Sequence, residues 1–283
     1  MRRFCLLLFL FPLAAAQTFQ WTPTAIRQGE TLHLRAVSPD AAGARLNGRT
    51  VPLWTQPSGE RLGLLPVAAT DPPGTYRLEF LDTSGRTLHA ADITVRDAHY
   101  RRQNIIIGKS ATELEPSPGE KEAVAALRTT LTPVRYWSEP LLLPIPGCMS
   151  SPFGVLRLHN GKPTGNYHGG VDQRAPAGRP VHAAAAGTVR LVRLFNIHGG
   201  TVGIDHGQGL VSFYLHLSRF AVAEGAAVKP GQVIGYVGST GFSTGPHLHW
   251  GLWVHGVPVT PLQWVKLAPC AARGAGAKRP ARP

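Results

Sequence analysis

The alternating stretch His247-Leu248-His249-Trp250-Gly251-Leu252 decides what the C-terminal half of this 283-residue chain forms. Successive side chains of an extended strand point to opposite faces, so His247 and His249 share one face. The other face carries Leu248, Trp250 and Leu252. An apolar core against that second face would direct both imidazoles into a groove. The stretch therefore predicts a β-strand with one buried face and one face available for chemistry.

A second motif, His168-Gly169-Gly170-Val171-Asp172, precedes it in the chain. Four extended residues span up to about 13 Å, whereas the ligand atoms of one tetrahedral metal ion lie roughly 3–3.5 Å apart. His168 and Asp172 can therefore share a metal only if the chain bends or is helical between them. The paired glycines favour a bend, because each costs a helix about 1 kcal/mol and permits positive φ.

Residues 211–216 alternate in the same way, and His216 ends this alternation on the face of Ser212 and Tyr214. Three nitrogen or oxygen ligands with one open position are the inventory of a catalytic zinc site. Two further histidines would supply a general base and an oxyanion stabiliser. Carboxylates are scarce here: from residue 147 onward the acidic residues are Asp172, Asp205 and Glu224. That scarcity favours a metal site over coincidence for Asp172.

One competing motif is the stretch Gly241-Phe242-Ser243-Thr244-Gly245, which matches the nucleophile elbow of serine hydrolases. That elbow requires a helix after the serine and an acid later in the chain. Pro246 and an alternating strand follow instead, and no Asp or Glu occurs after Ser243. The stretch is better interpreted as a tight loop that leads into the histidine pair.

These motifs, with Ser151-Pro152-Phe153-Gly154, Gly238-Ser239-Thr240-Gly241 and Ser243-Thr244-Gly245-Pro246, resemble those of the lysostaphin-type (LytM-like) zinc endopeptidases. That family cuts peptide cross-links of bacterial peptidoglycan, and the resemblance runs from about Ser151 to Trp264. It implies one Zn²⁺ per chain, held by His168, Asp172 and His249, with His216 and His247 as catalytic residues. Which of these two is the base stays open. So does the bond that is cut, a direct D-alanyl cross-link or a glycine-containing bridge.

A rival function is that of a degenerate relative, which binds the cell wall or activates other hydrolases without cutting. Such relatives typically lose zinc ligands, whereas this chain retains the full set of five residues. A second rival is an exported metal-binding or adhesive module whose working part is the N-terminal half.

The first 16 residues are typical of a secretory signal peptide. Arg2 and Arg3 precede a short apolar core, and Ala14-Ala15-Ala16 supplies a cleavage site. No stretch is long enough to span a bilayer. Cleavage before Gln17 would leave an extracytoplasmic protein whose only cysteines, Cys148 and Cys270, bracket the peptidase region. An even pair in an exported chain favours a disulfide, although two free thiols remain the alternative.

The positive charge is concentrated in the C-terminal half. Residues 17–146 carry 14 Lys and Arg against 13 Asp and Glu, whereas residues 147–283 carry 13 against 3. A basic catalytic half suits an anionic polymer such as peptidoglycan. Nucleic acid is not expected as a partner, because no nucleic-acid motif is present, and a monomer is expected. Residues 269–283 combine Arg and Lys with Ala, Gly and Pro, which predicts a disordered basic tail.

The predicted fold is mostly β. Residues 17–97 contain short alternations with turn signals at Asn47-Gly48 and Ser84-Gly85, which predict a small immunoglobulin-like β-sandwich. Residues 98–146 form a linker, in which Ser117-Pro118-Gly119-Glu120 predicts a capped helix over about 118–131. Residues 147–268 form the β-rich peptidase domain. Because all five site residues lie in that domain, a fragment starting near Leu143 is expected to keep the chemistry.

Overall fold

The computed structural model describes residues 17–106, 114–147 and 149–266. The predicted signal peptide, the predicted basic tail, Cys148 and Cys270 lie outside the described residues, and so does the predicted disulfide. The described chain is mostly β, as the alternating sequence predicts. None of its described helices is long and apolar enough to cross a membrane.

Two sheets in residues 18–96 share one apolar core. Their strands are β1 Thr18–Thr22, β2 Ala25–Arg27, β3 Thr31–Val37, β4 Gly43–Leu46, β5 Arg49–Pro52, β6 Trp54–Thr55, β7 Arg61–Pro66, β8 Gly74–Leu81 and β9 Thr87–Arg96. One sheet has the order β1-β3-β7-β6, and the other has the order β2-β9-β8-β4-β5. Leu34 of the first sheet and Phe80 and Ile93 of the second meet in this core. The immunoglobulin-like topology and the domain boundaries stay predictions.

The sandwich-forming turns follow the sequence signals. Asn47 and Gly48 join β4 to β5 with φ of 48° and 71°, and Gly85 has φ of 83° between β8 and β9. Asn tolerates this left-handed conformation better than most residues, and glycine adopts it without a steric penalty. The two hairpin turns therefore occur where these residues stand.

The segment after residue 97 is built into the C-terminal half. Strand β10 (Arg102–Ile105) pairs with β11 (Leu156–His159), which pairs with β12 (Lys162–Tyr167). A single described helix, α1, spans Glu120–Arg128 and is shorter than the predicted 118–131. Helix α1 starts after Gly119, which has left-handed φ, so Pro118 lies outside the helix. Only one half of the capping box forms, because the Ser117 amide donates to the Glu120 carboxylate while Ser117 caps no helix amide.

The C-terminal sheet has nine strands. They are β13 Val171–Arg174, β14 Pro180–His182, β15 Gly187–Phe195, β16 Gly199–Gly207, β17 Leu210–Phe220, β18 Ala227–Val228, β19 Val233–Val237, β20 His247–Val254 and β21 Val257–Val259. The main path is β13-β20-β17-β16-β15-β18. A short 3-10 helix, Pro261–Trp264, follows β21. The predicted alternation at residues 211–216 lies within β17, which extends beyond it at both ends.

Both faces of this sheet are covered. One face belongs to the main C-terminal core, which includes Tyr214, Leu248 and Trp250. The opposite face is partly covered by α1, whose Val124 and Leu127 pack with Leu191, Phe195, Val211, Phe213 and Leu215. Trp137, Leu141 and Ile145 of the predicted linker also lie in the main core. The linker is therefore part of the packed C-terminal unit, because it supplies apolar cover to both faces.

Candidate metal centre

His168 and Asp172 flank a bend between two strands. Strand β12 ends at Tyr167 and β13 begins at Val171, so the paired glycines form the connection. Neither glycine has left-handed φ, and the reason for glycine is steric at one of them. A Cβ on Gly170 would lie 2.4 Å from the Trp250 carbonyl oxygen and 2.7 Å from His249 Nε2, whereas Gly169 meets nothing closer than 4.0 Å. The predicted bend is confirmed. Glycine is required at position 170 because a Cβ has no room there, and not because of the backbone φ.

Pairing of β13 with β20 brings the two motifs together. Asp172 stands directly opposite His249 in this antiparallel pair, and directly opposite residues share one face of a sheet. Leu248 and Trp250 on the other face are fully buried in the main core. Their burial fixes the strand, so His247 and His249 point into the groove.

His216 enters the groove through a β-bulge in β17. The register against β16 shifts between Leu217 and Tyr214, so two residues of β17 stand opposite Thr201. His216 itself has φ of 63°, which is left-handed. Leu215 is paired with His249, so the groove face of β17 is the face of Leu215. Simple alternation, which assigns His216 to the face of Ser212 and Tyr214, would point it into the core; the bulge re-aims it.

The re-aimed ring lies against the histidine pair. The ring centroids of His216 and His247 are 4.7 Å apart, and those of His216 and His249 are 6.3 Å apart. No sequence signal marks this bulge, because histidine adopts left-handed φ only occasionally. All five residues singled out from the sequence are therefore in one groove, but one of them arrives there by an irregularity of the strand.

Three atoms form a compact set of potential metal ligands. His168 Nε2 is 2.9 Å from Asp172 Oδ1 and 3.0 Å from His249 Nδ1, and the latter two atoms are 3.0 Å apart. A tetrahedral ion with ligands at about 2 Å needs neighbouring ligand atoms roughly 3–3.5 Å apart. Two imidazoles and a carboxylate are also the donor types that zinc binds. The three side chains present thus fit a single zinc ion.

Backbone carbonyls orient three of the imidazoles. The Nδ1 of His168 donates to the Pro152 carbonyl at 2.7 Å, that of His216 to Thr240 at 2.9 Å, and that of His247 to Gly245 at 2.7 Å. A carbonyl only accepts, so Nδ1 carries the proton in each ring. The Nε2 lone pair is then available in each ring, either for a metal or for a proton.

Burial sets the protonation states in the groove. Burial lowers the pKa of His216 to about 3, helped by the neighbouring His249 and His247. Burial likewise lowers the pKa of His249 to about 4. Burial alone would raise the pKa of Asp172, but the adjacent His168 and His249 rings outweigh it and hold this pKa well below its usual value. Near neutral pH His216 and His249 are therefore neutral, and the Asp172 carboxylate beside them is ionised.

Two arginines that sequence inspection passed over lie at the groove. Arg157 Nη2 is 3.6 Å from Asp172 Oδ2, the carboxylate oxygen turned away from the ligand set. Arg128, the last residue of α1, lines a cavity of about 410 Å³ together with His216 and His249. A second cavity of about 440 Å³ continues past His247 toward Ser243. The candidate metal centre therefore lies where two cavities meet.

Five histidines in residues 147–283 have no predicted role: His159, His182, His198, His206 and His255. Of these, His198 lines the first cavity. Its Nδ1 lies 2.6 Å from the Glu120 carboxylate. His206 is fully buried, with hydrogen bonds to the Ala186 carbonyl and to Ser212. Burial lowers the pKa of His206 to about 4, so it is a neutral structural residue.

Comparisons with known proteins agree with this geometry. The sequence profile of Peptidase family M23 matches residues 166–261. The DD-carboxypeptidase/endopeptidase Mpg of Neisseria meningitidis is 46% identical over 114 residues, which cover 40% of this chain and 26% of that protein. The peptidoglycan DD-endopeptidase ShyA of Vibrio cholerae is 41% identical over 115 residues, 41% of this chain and 27% of that protein. The chain thus spans about a quarter of the length of these curated relatives.

One solved structure resembles most of the described chain. The crystal structure of a putative peptidase M23 from Pseudomonas aeruginosa has a TM-score of 0.64 and 26% sequence identity. The match covers 86% of this chain and 95% of that one, so the likeness extends beyond the profile segment. On the profile match, the sequence relatives and this structural likeness, residues 166–261 form a domain of peptidase family M23.

Proposed function

We propose that this protein is an exported zinc metalloendopeptidase that hydrolyses peptide bonds in bacterial peptidoglycan. The observation that carries the proposal is the set formed by His168 Nε2, Asp172 Oδ1 and His249 Nδ1, each within 3.0 Å of the other two. The names of the relatives from Neisseria and Vibrio, both peptidoglycan-acting or DD-specific peptidases, support the substrate class. An extracytoplasmic, monomeric protein with one zinc per chain completes the proposal.

The proposed ligands are His168, Asp172 and His249. When bound there, zinc supplies a Lewis acid that polarises a peptide carbonyl and lowers the pKa of a coordinated water to about 7. Arg157 near Asp172 Oδ2 keeps the carboxylate turned so that Oδ1 faces the two imidazoles. The Pro152 carbonyl holds Nδ1 of His168, so that Nε2 of this ring faces Asp172 Oδ1.

His216 and His247 are the proposed proton-handling residues. Their Nδ1 protons are held by the Thr240 and Gly245 carbonyls, so each Nε2 can accept a proton from the attacking water. The same Nε2, once protonated, can donate to the leaving amine or to the developing oxyanion. His247 Nε2 lies 3.9 Å from Asp172 Oδ1, which places it beside the ligand set without belonging to it.

The proposal is tested on the purified full chain with two measurements on each variant. Metal analysis should find about one zinc per chain, and peptidoglycan digestion should release soluble fragments that a chelator suppresses. His249→Ala should lose both the zinc and the activity. His216→Ala and His247→Ala should keep the zinc while fragment release falls by about 10²–10⁴-fold, the usual worth of a general acid–base group.

Two outcomes would contradict the proposal. Zinc binding and peptidoglycan binding without any fragment release would favour a non-catalytic relative. Loss of zinc in His247→Ala together with its retention in His249→Ala would exchange the ligand and catalyst roles within the pair.

A further inference from the structure

Arg128 is a cationic side chain in the substrate groove that comes from outside the family segment. It lines the 410 Å³ cavity beside His216 and His249, together with Tyr167, Phe213 and Trp253. The family segment begins at residue 166, whereas Arg128 ends helix α1. Among the described residues that line this cavity, no Asp or Glu occurs. The cavity is therefore aromatic and positively charged.

The guanidinium of Arg128 is held in place but not neutralised. Its central carbon lies 3.9 Å from the centroid of the Trp253 ring, a stacking arrangement typical of arginine. Its Nε is buried without a hydrogen-bond partner, and within the described ranges Arg128 has no carboxylate in ion-pair distance. By contrast, Arg35, Arg45 and Arg49 each pair with a carboxylate. Burial lowers the pKa of Arg128 from its usual value.

The second arginine at the groove, Arg157, already faces a carboxylate. Arg157 faces Asp172 Oδ2 at 3.6 Å, so its charge serves the candidate ligand set. A partly buried cation without an acceptor loses part of its hydration, and a bound anion compensates that loss. The free anion-binding capacity of this cavity therefore lies with Arg128.

The backbone that carries Arg128 is fixed to the groove. Glu120, at the other end of α1, accepts from the amides of Ile197 and His198 and from His198 Nδ1. Leu127 packs so closely on β16 that a Cβ on Gly203 would lie 1.9 Å from its Cδ2. A fixed helix end with a stacked guanidinium is preorganised for a ligand, which lowers the entropic cost of binding.

We propose that Arg128 binds a carboxylate of the peptide substrate in this cavity and so determines which peptides are cut. The inference rests on the proposed function, because a peptide held at the metal centre places its neighbouring residues in this cavity. Peptidoglycan peptides carry free carboxylates, and a guanidinium recognises a carboxylate through paired hydrogen bonds. The aromatic walls exclude water and strengthen that contact.

The test crosses an arginine variant with a carboxylate change in the substrate. The substrates are muropeptides prepared from peptidoglycan and the same muropeptides with their carboxylates converted to amides. Wild type should have a higher kcat/KM on the native form. Arg128→Gln should lose about 10–100-fold on the native form, the usual worth of a hydrogen bond to a charged group. The same variant should change little on the amidated form, and Arg128→Lys should fall in between.

A matched control and a binding measurement keep the outcomes separate. Arg193→Gln removes an exposed arginine that also faces an aromatic ring, Phe195, away from the cavity, and should behave as wild type on both substrates. Equilibrium binding of both muropeptides to the zinc-depleted full chain, followed by tryptophan fluorescence, should show the same dependence on Arg128 and carboxylate. This readout requires no turnover.

The outcomes distinguish the inference from the function. Equal losses on native and amidated muropeptides, in turnover and in binding, would mean that Arg128 is only structural and would overturn the inference. Carboxylate-dependent binding that requires Arg128 without any cleavage would uphold the inference while the proposed hydrolysis fails.

Discussion

The N-terminal half and the C-terminal groove each hold a carboxylate that is at least largely buried, and the two carboxylates have different partners. Asp71 accepts from the two Nη atoms of Arg49 at 2.8 and 3.0 Å and from the Ala68 amide at 2.8 Å. Asp172 instead lies within 3.0 Å of His168 Nε2 and His249 Nδ1. In both cases burial raises the pKa of the carboxyl group, but the neighbouring groups lower it by more. The net shift of each pKa is therefore downward.

The partners of Asp71 and those of Asp172 differ in whether they can bind a metal ion. Arg49 and a backbone amide are permanent donors that cannot bind a metal, so they saturate Asp71. The partners of Asp172 are imidazole nitrogens that also lie 3.0 Å from each other. Imidazoles can exchange a proton for a metal ion, whereas a guanidinium cannot. A lowered carboxyl pKa is therefore shared by a structural ion pair and a candidate metal centre.

The largest expected difference between the two regions comes from removing each carboxylate. Asp172→Ala removes one of three proposed ligands, so zinc should fall from about one per chain to near zero and activity should be lost. Asp71→Ala should keep zinc and activity at moderate temperature. It should lower the free energy of unfolding by about 1–3 kcal/mol, because Arg49 is left unpaired. Metal analysis, fragment release and denaturant unfolding on both variants measure this. Equal zinc loss in the two would break the comparison.

A smaller effect is expected from a methyl group at the bend. In Gly170→Ala the added Cβ meets the Trp250 carbonyl at 2.4 Å and His249 Nε2 at 2.7 Å, so β13 must move away from β20. Overpacking of this kind costs about 1–3 kcal/mol and should weaken zinc binding by displacing Asp172 from His249. Gly169→Ala is the control, since its nearest neighbour is 4.0 Å away. Similar zinc affinity in the two variants would contradict the steric reason given for Gly170.

The smallest effect concerns the carboxylate that holds α1. Burial raises the pKa of Glu120, but hydrogen bonds from His198, Ser117 and Ile197 outweigh it, so the pKa is below its usual 4.5. A lowered folded-state pKa adds stability above the unfolded-state pKa and loses it as the pH falls through the folded-state value. Glu120→Gln should therefore cost about 1–3 kcal/mol of unfolding free energy at neutral pH.

That cost should begin to shrink as the pH falls below about 4.5, where the unfolded-state carboxylate is protonated, and should be smallest below the folded-state pKa of Glu120, where the folded state is protonated too. Urea unfolding between pH 7 and pH 3 provides the measurement. Glu122→Gln, an exposed position on the same helix, is the control and should change stability by less than about 0.5 kcal/mol. A cost that stays constant with pH would show that the hydrogen bonds to Glu120 do not depend on its charge.

The sequence predicted least about residues 98–146, because it did not show that this linker packs on the C-terminal sheet. From the sequence, a fragment starting near Leu143 is expected to keep the chemistry, because all five site residues lie after it. The structure places Leu127 on the groove side of the sheet, and the Tyr136 and Leu141 amides donate to the His206 and Trp264 carbonyls. Such a fragment would expose the apolar residues under α1. We therefore expect this fragment to be less stable than the full chain, in which Val124 and Leu127 cover those residues.

The sequence by itself determined the features that depend on residues close to one another in the chain. Period-two alternation specified strands β17 and β20 and the shared face of His247 and His249. The glycine pair specified the bend at Asp172, and Asn47-Gly48 specified a hairpin turn. Each of these follows from backbone conformation within a few residues. The family motifs then supplied the role expected for each of the five site residues.

Only the tertiary structure decided which atoms meet. His216 reaches the groove because a bulge opposite Thr201 gives it left-handed φ, and strand alternation alone would direct it into the core. Gly170 must be glycine because a neighbouring strand passes beside it. Arg128 enters the cavity because α1 packs on a sheet that is distant in sequence. These contacts join residues far apart in the chain, and their geometry depends on packing that no local pattern encodes.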